Sequence, residues 1–224
     1  MYVLLLIMMI LSMIAQGKVS STFAKYSKIQ NRRGLTGAEV AMQMLRNAGI
    51  GDVTVERVGG KLTDHYDPSK KRLRLSEEVY GSRSVAALGV AAHECGHAIQ
   101  HDQKYSPLGL RSVMVPVANF GSKLSFPLIF LGFLFTSATG DLLLLAGILL
   151  FSFSVLFTLI TLPVEFDASH RAIDALVGQD FLGQDEIGGA KKVLSAAAMT
   201  YVAAAAVAVV QLLRLLLIFA NRRD

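Results

Sequence analysis

The chain has 224 residues, 53% of them hydrophobic, with no tryptophan and a mean hydropathy of +0.48. An ordinary soluble domain is about 45–50% apolar, and here the excess is gathered into a few blocks, which excludes a simple soluble globule and points to an integral membrane protein. Of 22 basic residues, against 17 acidic ones and for a net charge of +5, 16 fall between Lys18 and Lys123. They lack the interleaved aromatic pattern of a nucleic-acid surface, so the charge reads as a topology signal and nucleic acid is not an expected partner.

In chain order, residues 1–17 open with MYVLLLIMMILSMIA, fifteen uncharged residues. They are expected to form an uncleaved transmembrane anchor. No basic residue precedes the block, and a small-x-small cleavage pattern is missing. Lys18, Lys25, Lys28, Arg32 and Arg33 follow it, which by the positive-inside rule leaves the N-terminus outside. Residues 18–123 read as a cytoplasmic catalytic region. In it, TGAEVAMQMLRNAGI is an amphipathic helix with a Thr36–Glu39 capping box and Gly49 at its end. DVTVERV and KRLRLS alternate with period two and predict a short hairpin or meander. Ser82 or Ser84 caps the next helix, from about Val85 to His101.

Residues 124–162 hold two apolar segments around Thr139-Gly140-Asp141, a predicted transmembrane hairpin. Residues 163–192 are polar again, a cytoplasmic helix opened by Pro163, and residues 193–224 carry a C-terminal transmembrane helix containing Gln211 and Arg214. Four crossings put 19 of the 22 basic residues on the cytoplasmic side of the membrane. Arg222 and Arg223 fall outside, against that bias.

The chemistry concentrates in ALGVAAHECGHAIQHDQ, Ala87 to Gln103, where His93, Glu94 and His97 match H-E-x-x-H. Helical positions i and i+4 share a face, so two imidazoles there can hold one zinc ion. Glu94, adjacent to the first histidine, is placed to take a proton from a water that attacks a carbonyl, and to return it to the leaving amine. Gly96 lets another element approach. The competing reading, core histidines with ordinary hydrogen bonds, must bury a carboxylate on an Ala/Val/Gly surface at considerable cost. Cys95, the only cysteine, excludes a disulfide framework and a multi-cysteine zinc module, and it points away from the histidines.

A catalytic zinc usually has a third protein ligand. His101 continues the same helix at an awkward angle, and Gln100 and Gln103 stand where a metzincin needs glycine and histidine. A carboxylate from a second helix remains. The hairpin returns the chain beside the motif helix, where LPVEFDASHRAIDAL offers Glu165, with Asp167 and Asp174 competing; Glu165 is preferred for its place just past the membrane boundary, with Pro163 opening the new helix. Substrate or transition-state contacts are expected from His65, within DHYDPS, and from His170 and Arg171 as oxyanion stabilisers. KRLRLS is a candidate edge strand for an extended peptide.

HECGHAIQH, YSPLGLR, LPVEFDASHRA, AAAMTYVAAA and DHYDPSKKRLRLS together resemble the YugP-like family of bacterial membrane zinc metallopeptidases, over nearly the whole chain. The resemblance implies a neutral zinc endopeptidase with His93 and His97 as ligands and Glu94 as base. The arrangement is also similar to HtpX-like membrane peptidases, whose second motif runs Glu-x-x-x-Asp. There Glu165 corresponds to the third ligand, while Ser169 stands at the Asp position, with Asp167 and His170 nearby.

The expected fold is therefore a mainly α membrane protein, with about four transmembrane helices and a small α+β zincin-like catalytic region. The expected function is a zinc-dependent endopeptidase acting at the membrane on protein or peptide substrates. A membrane adaptor or chaperone-like binder with a structural or vestigial zinc site is the contrasting reading. It leaves Glu94 without a purpose, since a structural site needs no base.

Overall fold

A computed structural model of the chain describes residues 2–223. The elements are α1 (Tyr2–Tyr26), α2 (Gly37–Asn47), β1 (Thr54–Val58), β2 (His65–Asp67), β3 (Arg72–Ser76), α3 (Glu77–Tyr80), α4 (Val85–Asp102), α5 (Ser106–Leu134), α6 (Ala138–Gly178) and α7 (Ile187–Arg223). They form two compact units, one of residues 15–108 with 163–199, the other of residues 1–14, 109–162 and 200–224.

The first unit carries the polar half of the chain. Its α2 begins with the expected capping box: the Thr36 hydroxyl accepts from the Glu39 N–H, and the Glu39 carboxylate accepts from the Thr36 N–H. Gly49, at φ +76°, ends it. Val40, Ala41, Met44 and Leu45 form the buried face of α2, which packs on α4. That helix, capped by Ser84 through the Ala87 N–H, buries Ala87, Leu88, Ala91, Ala92, Cys95 and Ala98. Small residues let the two helices approach closely.

The sheet has order β1-β3-β2. DVTVERV and KRLRLS, expected as a hairpin or meander, instead pair in parallel as β1 and β3, and the antiparallel partner of β3 is β2, a short strand that the alternation does not mark. β3 is thus the central strand, and KRLRLS is not the edge on which a peptide could pair. The reason lies in its own side chains: Leu73 and Leu75 are fully buried, while Arg72 and Arg74 reach Glu56 of β1 across the other face.

Gly96 faces α6. A Cβ there would lie 2.5 Å from the carbonyl oxygen of Ala168, so the two backbones touch where the site is built. Gly96→Val should force the helices apart, with a loss of about 1–3 kcal/mol of stability from overpacking and a parallel loss of bound zinc. Thermal melting and metal content report the two effects.

The second unit is built from the apolar helical segments. Ile129, Leu144, Ile148 and Leu215 form its core, with Phe151, Leu212 and Phe219 against them. Glycines bring α5 and α6 together: a Cβ on Gly132 would meet the Leu144 backbone at 2.7 Å, and one on Gly147 the Ile129 backbone at 2.9 Å. Such small-residue contacts are how helices associate in lipid, where burial of apolar surface gives no preference. Phe120, Phe126, Phe130, Leu142 and Phe153 are exposed, which suits a hydrocarbon surrounding and not water. Four helices, α1, α5, α6 and α7, are long and apolar enough to cross a membrane.

Three boundaries differ from the sequence reading. α5 starts at Ser106, well before the apolar segment at residue 124, and runs through Pro116 and Pro127 as one helix. The turn between α5 and α6 lies at residues 135–137, and Thr139-Gly140-Asp141 belong to the first turn of α6. Pro163 opens no new helix but lies inside α6; proline removes one N–H yet keeps a helical φ, so a helix held by packing on both sides carries it as a local defect. Arg222, at odds with the charge bias in the sequence, is spoken for in this unit. Its Nε lies 2.9 Å from Asp141 Oδ1, and its Nη atoms donate to the carbonyls of Gly132 and Phe135 at the end of α5.

Candidate metal centre

The first unit brings α4 and the Pro163–Gly178 part of α6 side by side, and with them three side chains. His93 and His97, one turn apart on α4, present their rings edge to face with centroids 4.8 Å apart. Glu165 of α6 comes between them: its Oε2 is 3.3 Å from His93 Nε2 and 3.5 Å from His97 Nε2. The three donor atoms lie within 4.8 Å of one another, and His97 and Glu165 are buried.

Zinc bound tetrahedrally at about 2.0–2.1 Å from its ligands would set them about 3.3–3.4 Å apart, which the two histidine–carboxylate distances match. Two imidazoles and one carboxylate are also the donor types zinc takes, in the number typical of a catalytic site. The residues present therefore fit the ion. Among the three alternatives weighed for the third position, His101 Nδ1 bonds to the Tyr66 hydroxyl at 2.9 Å, Asp174 pairs with His170, and Asp167 has other partners.

Those partners explain how the histidines are held. Gln100, fully buried, donates from Nε2 to the Val164 carbonyl at 2.8 Å and to Asp167 Oδ2 at 2.7 Å. Both acceptors lie on the amide side, so Oε1 is turned to His97 Nδ1, 3.0 Å away. Nδ1 must then carry the proton, leaving Nε2 to face Glu165. Arg171 Nε in turn donates to Asp167 Oδ2 at 2.5 Å, and its Nη1 donates to Gln103. His93 is held by the Ser169 hydroxyl, 3.1 Å from Nδ1. Ser169 thus partners a site histidine from the position where the related motif has aspartate.

Gln100→Leu should remove the orientation of His97 and leave Asp167 to Arg171 alone. We expect zinc affinity to fall by about 10–100-fold, the usual cost of losing such an outer partner; a competitive zinc titration measures it.

Burial works against a charge on His97. The Glu165 carboxylate beside it, aided by Glu94 and Gln100, outweighs that and holds its pKa above the ordinary imidazole value. Glu94 is itself buried, next to a further carboxylate, Asp64. The Asp64 pKa is raised, by burial first and also by the Glu94 charge, although the Ser76 N–H and hydroxyl both donate to it.

The remaining expected contacts lie apart from the three donors. His65, exposed on β2, has its Nδ1 2.7 Å from the Thr63 carbonyl. Arg171 is engaged with Asp167, Gln103 and the face of Tyr105, so it acts on the site through Gln100. His170 is exposed and 3.4 Å from Asp174, in an open cleft of about 510 Å³ that Ser169, Phe166, Ile173 and Leu194 also line. Cys95 is buried, its thiol directed at the Ala41 carbonyl; burial raises its pKa well above the usual thiol range. Tyr66, overlooked in the sequence, has its hydroxyl pKa pushed up to about 12, first by burial and then by Asp52, Asp67 and Asp102.

Fold and donor set together define a class: a mainly helical protein with four membrane-length helices and a cluster of two histidines and a glutamate that could hold a metal ion. Within it, the chain belongs to the family described as "Putative neutral zinc metallopeptidase", which matches residues 1–220. It is 52% identical over 214 residues to the "Putative membrane protease YugP" of Bacillus subtilis (strain 168), a match covering 96% of this chain and 94% of that protein. No solved structure matches it. The family expected from the motifs is the family of the chain, and both descriptions support a protease reading.

Proposed function

We propose that the chain is a membrane-embedded zinc endopeptidase that hydrolyses peptide bonds of membrane or membrane-proximal proteins. The observation that carries this is the meeting of His93, His97 and Glu165 on two helices, with the buried Glu94 beside the first of them in sequence. When bound, zinc supplies Lewis acidity for the scissile carbonyl and lowers the pKa of the attacking water. Glu94 accepts the proton of that water and passes it to the departing amine nitrogen. Gln100 keeps the His97 imidazole in one tautomer and orientation, and Ser169 holds the His93 ring through Nδ1.

An extended substrate pairs with a strand edge. The edges of this sheet are β1 and β2, and β2 is the one packed against α4. A cytoplasmic catalytic face is supported by the 19 basic residues assigned to that side. Membrane substrates are supported by the 21 uncharged residues from Leu142 to Leu162, just before Glu165.

The test uses the full chain reconstituted in lipid with a membrane-anchored unstructured peptide. Cleavage should stop on adding phenanthroline and return with added zinc. Cleavage indifferent to the chelator would contradict the proposal.

A further inference from the structure

A second feature of the first unit lies away from the metal centre. Lys18, Ser21, Thr22 and Lys25 follow i, i+3, i+4, i+7 spacing and so share one face of α1. Lys191, Lys192, Ser195 and Met199, at i, i+1, i+4 and i+8, likewise share one face of α7. The two faces meet around an open cleft of about 650 Å³, lined also by Tyr26 and Ala196. Four ammonium groups from distant parts of the sequence surround it, and no acidic residue does. All four lysines are exposed, and among the described residues none is in an ion pair with a carboxylate. Lys25 lies 5.6 Å from the Tyr26 ring.

Mutual repulsion makes such a cluster unfavourable unless an anion offsets it. The sequence on either side says where that anion comes from. The 17 residues before Lys18 have no charged side chain, and neither do the 21 from Val193 to Leu213. Both helices therefore pass from basic to uncharged and mostly apolar at this cleft, the arrangement found where basic pockets between membrane helices take anionic lipid headgroups.

We propose that the cleft binds the phosphate of an anionic phospholipid, with Lys18, Lys25, Lys191 and Lys192 supplying the charge and the Ser21, Thr22 and Ser195 hydroxyls further polar contacts. This stands independently of the protease reading, since no metal-centre residue lines the cleft.

The test compares wild-type full chain with Lys25→Gln/Lys191→Gln and, at equal net charge, with Lys70→Gln/Lys104→Gln, whose sites lie elsewhere on the surface. Binding is read by fluorescence quenching with a labelled phosphatidylglycerol in phosphatidylcholine nanodiscs. Wild type and the Lys70/Lys104 variant should bind alike, and the cleft variant at least about tenfold more weakly. Lys25→Arg/Lys191→Arg should restore binding, which a merely misfolded variant could not show. Equal weakening in both glutamine variants would overturn the site in favour of diffuse charge. No preference of the wild type for phosphatidylglycerol over phosphatidylcholine would also overturn it. Displacement of the lipid by millimolar inorganic phosphate would overturn the lipid assignment in favour of a free anion.

Discussion

Replacing Glu94 by glutamine leaves zinc bound and lowers kcat for peptide hydrolysis by about 10²–10⁴-fold, the usual contribution of a general base. Glu94 is not one of the three side chains whose donor atoms converge, so metal content should match wild type. The substitution keeps the shape of the side chain and removes a charge from a buried position, so the fold should hold or gain slightly. It also relieves Asp64, whose raised pKa owes part of its shift to Glu94; that pKa should move back toward the ordinary carboxylate range, with burial still holding it up. Undiminished peptide cleavage by the Glu94→Gln variant would contradict the mechanism in which Glu94 is the general base.

Glu165→Ala has the opposite signature, loss of metal itself. The two histidines that remain make a poor zinc site, and affinity should fall beyond the about 10–100-fold that an outer partner costs. Glu165 is buried, so its removal takes away a desolvated carboxylate and the helices should stay packed. Full retention of zinc would mean that another side chain supplies the third ligand. Asp167 could do so only by releasing Gln100 and Arg171, and His101 only by leaving Tyr66.

Wild-type zinc binding carries a pH dependence as well. Because Glu165 raises the pKa of His97, a cation must displace a proton held above the ordinary imidazole range. Apparent affinity should therefore rise with pH through that range and beyond it, and isothermal titration in buffers of different ionisation enthalpy counts the released proton.

Local signals in the chain carry most of this. Capping at Thr36 and Ser84, the extent of α4 and the H-E-x-x-H spacing depend on neighbours within one helical turn, and such patterns are visible in sequence. Glu165 is reachable because the crossings between the two motifs return the chain. Arrangements set by distant partners escape such a reading. The parallel pairing of β1 with β3 joins segments whose alternation is equally compatible with a meander. Pro163 reads as a helix start, yet packing on both sides carries α6 through it. Gln100 reads only as a failed metzincin glycine; its role depends on Val164 and Asp167, two residues on another helix. Arg171 likewise reads as an oxyanion stabiliser, whereas Asp167 and Gln103 hold it.

The chemistry depends on one set of ligands, and X-ray absorption at the zinc edge examines it directly in the loaded wild-type protein. Two imidazole nitrogens and a carboxylate oxygen, all at about 2.0–2.2 Å, are the predicted shell, with the oxygen contribution falling in Glu165→Ala. A sulfur scatterer at about 2.3 Å, which would bring Cys95 into the site, or a third imidazole, which would bring in His101, would contradict it.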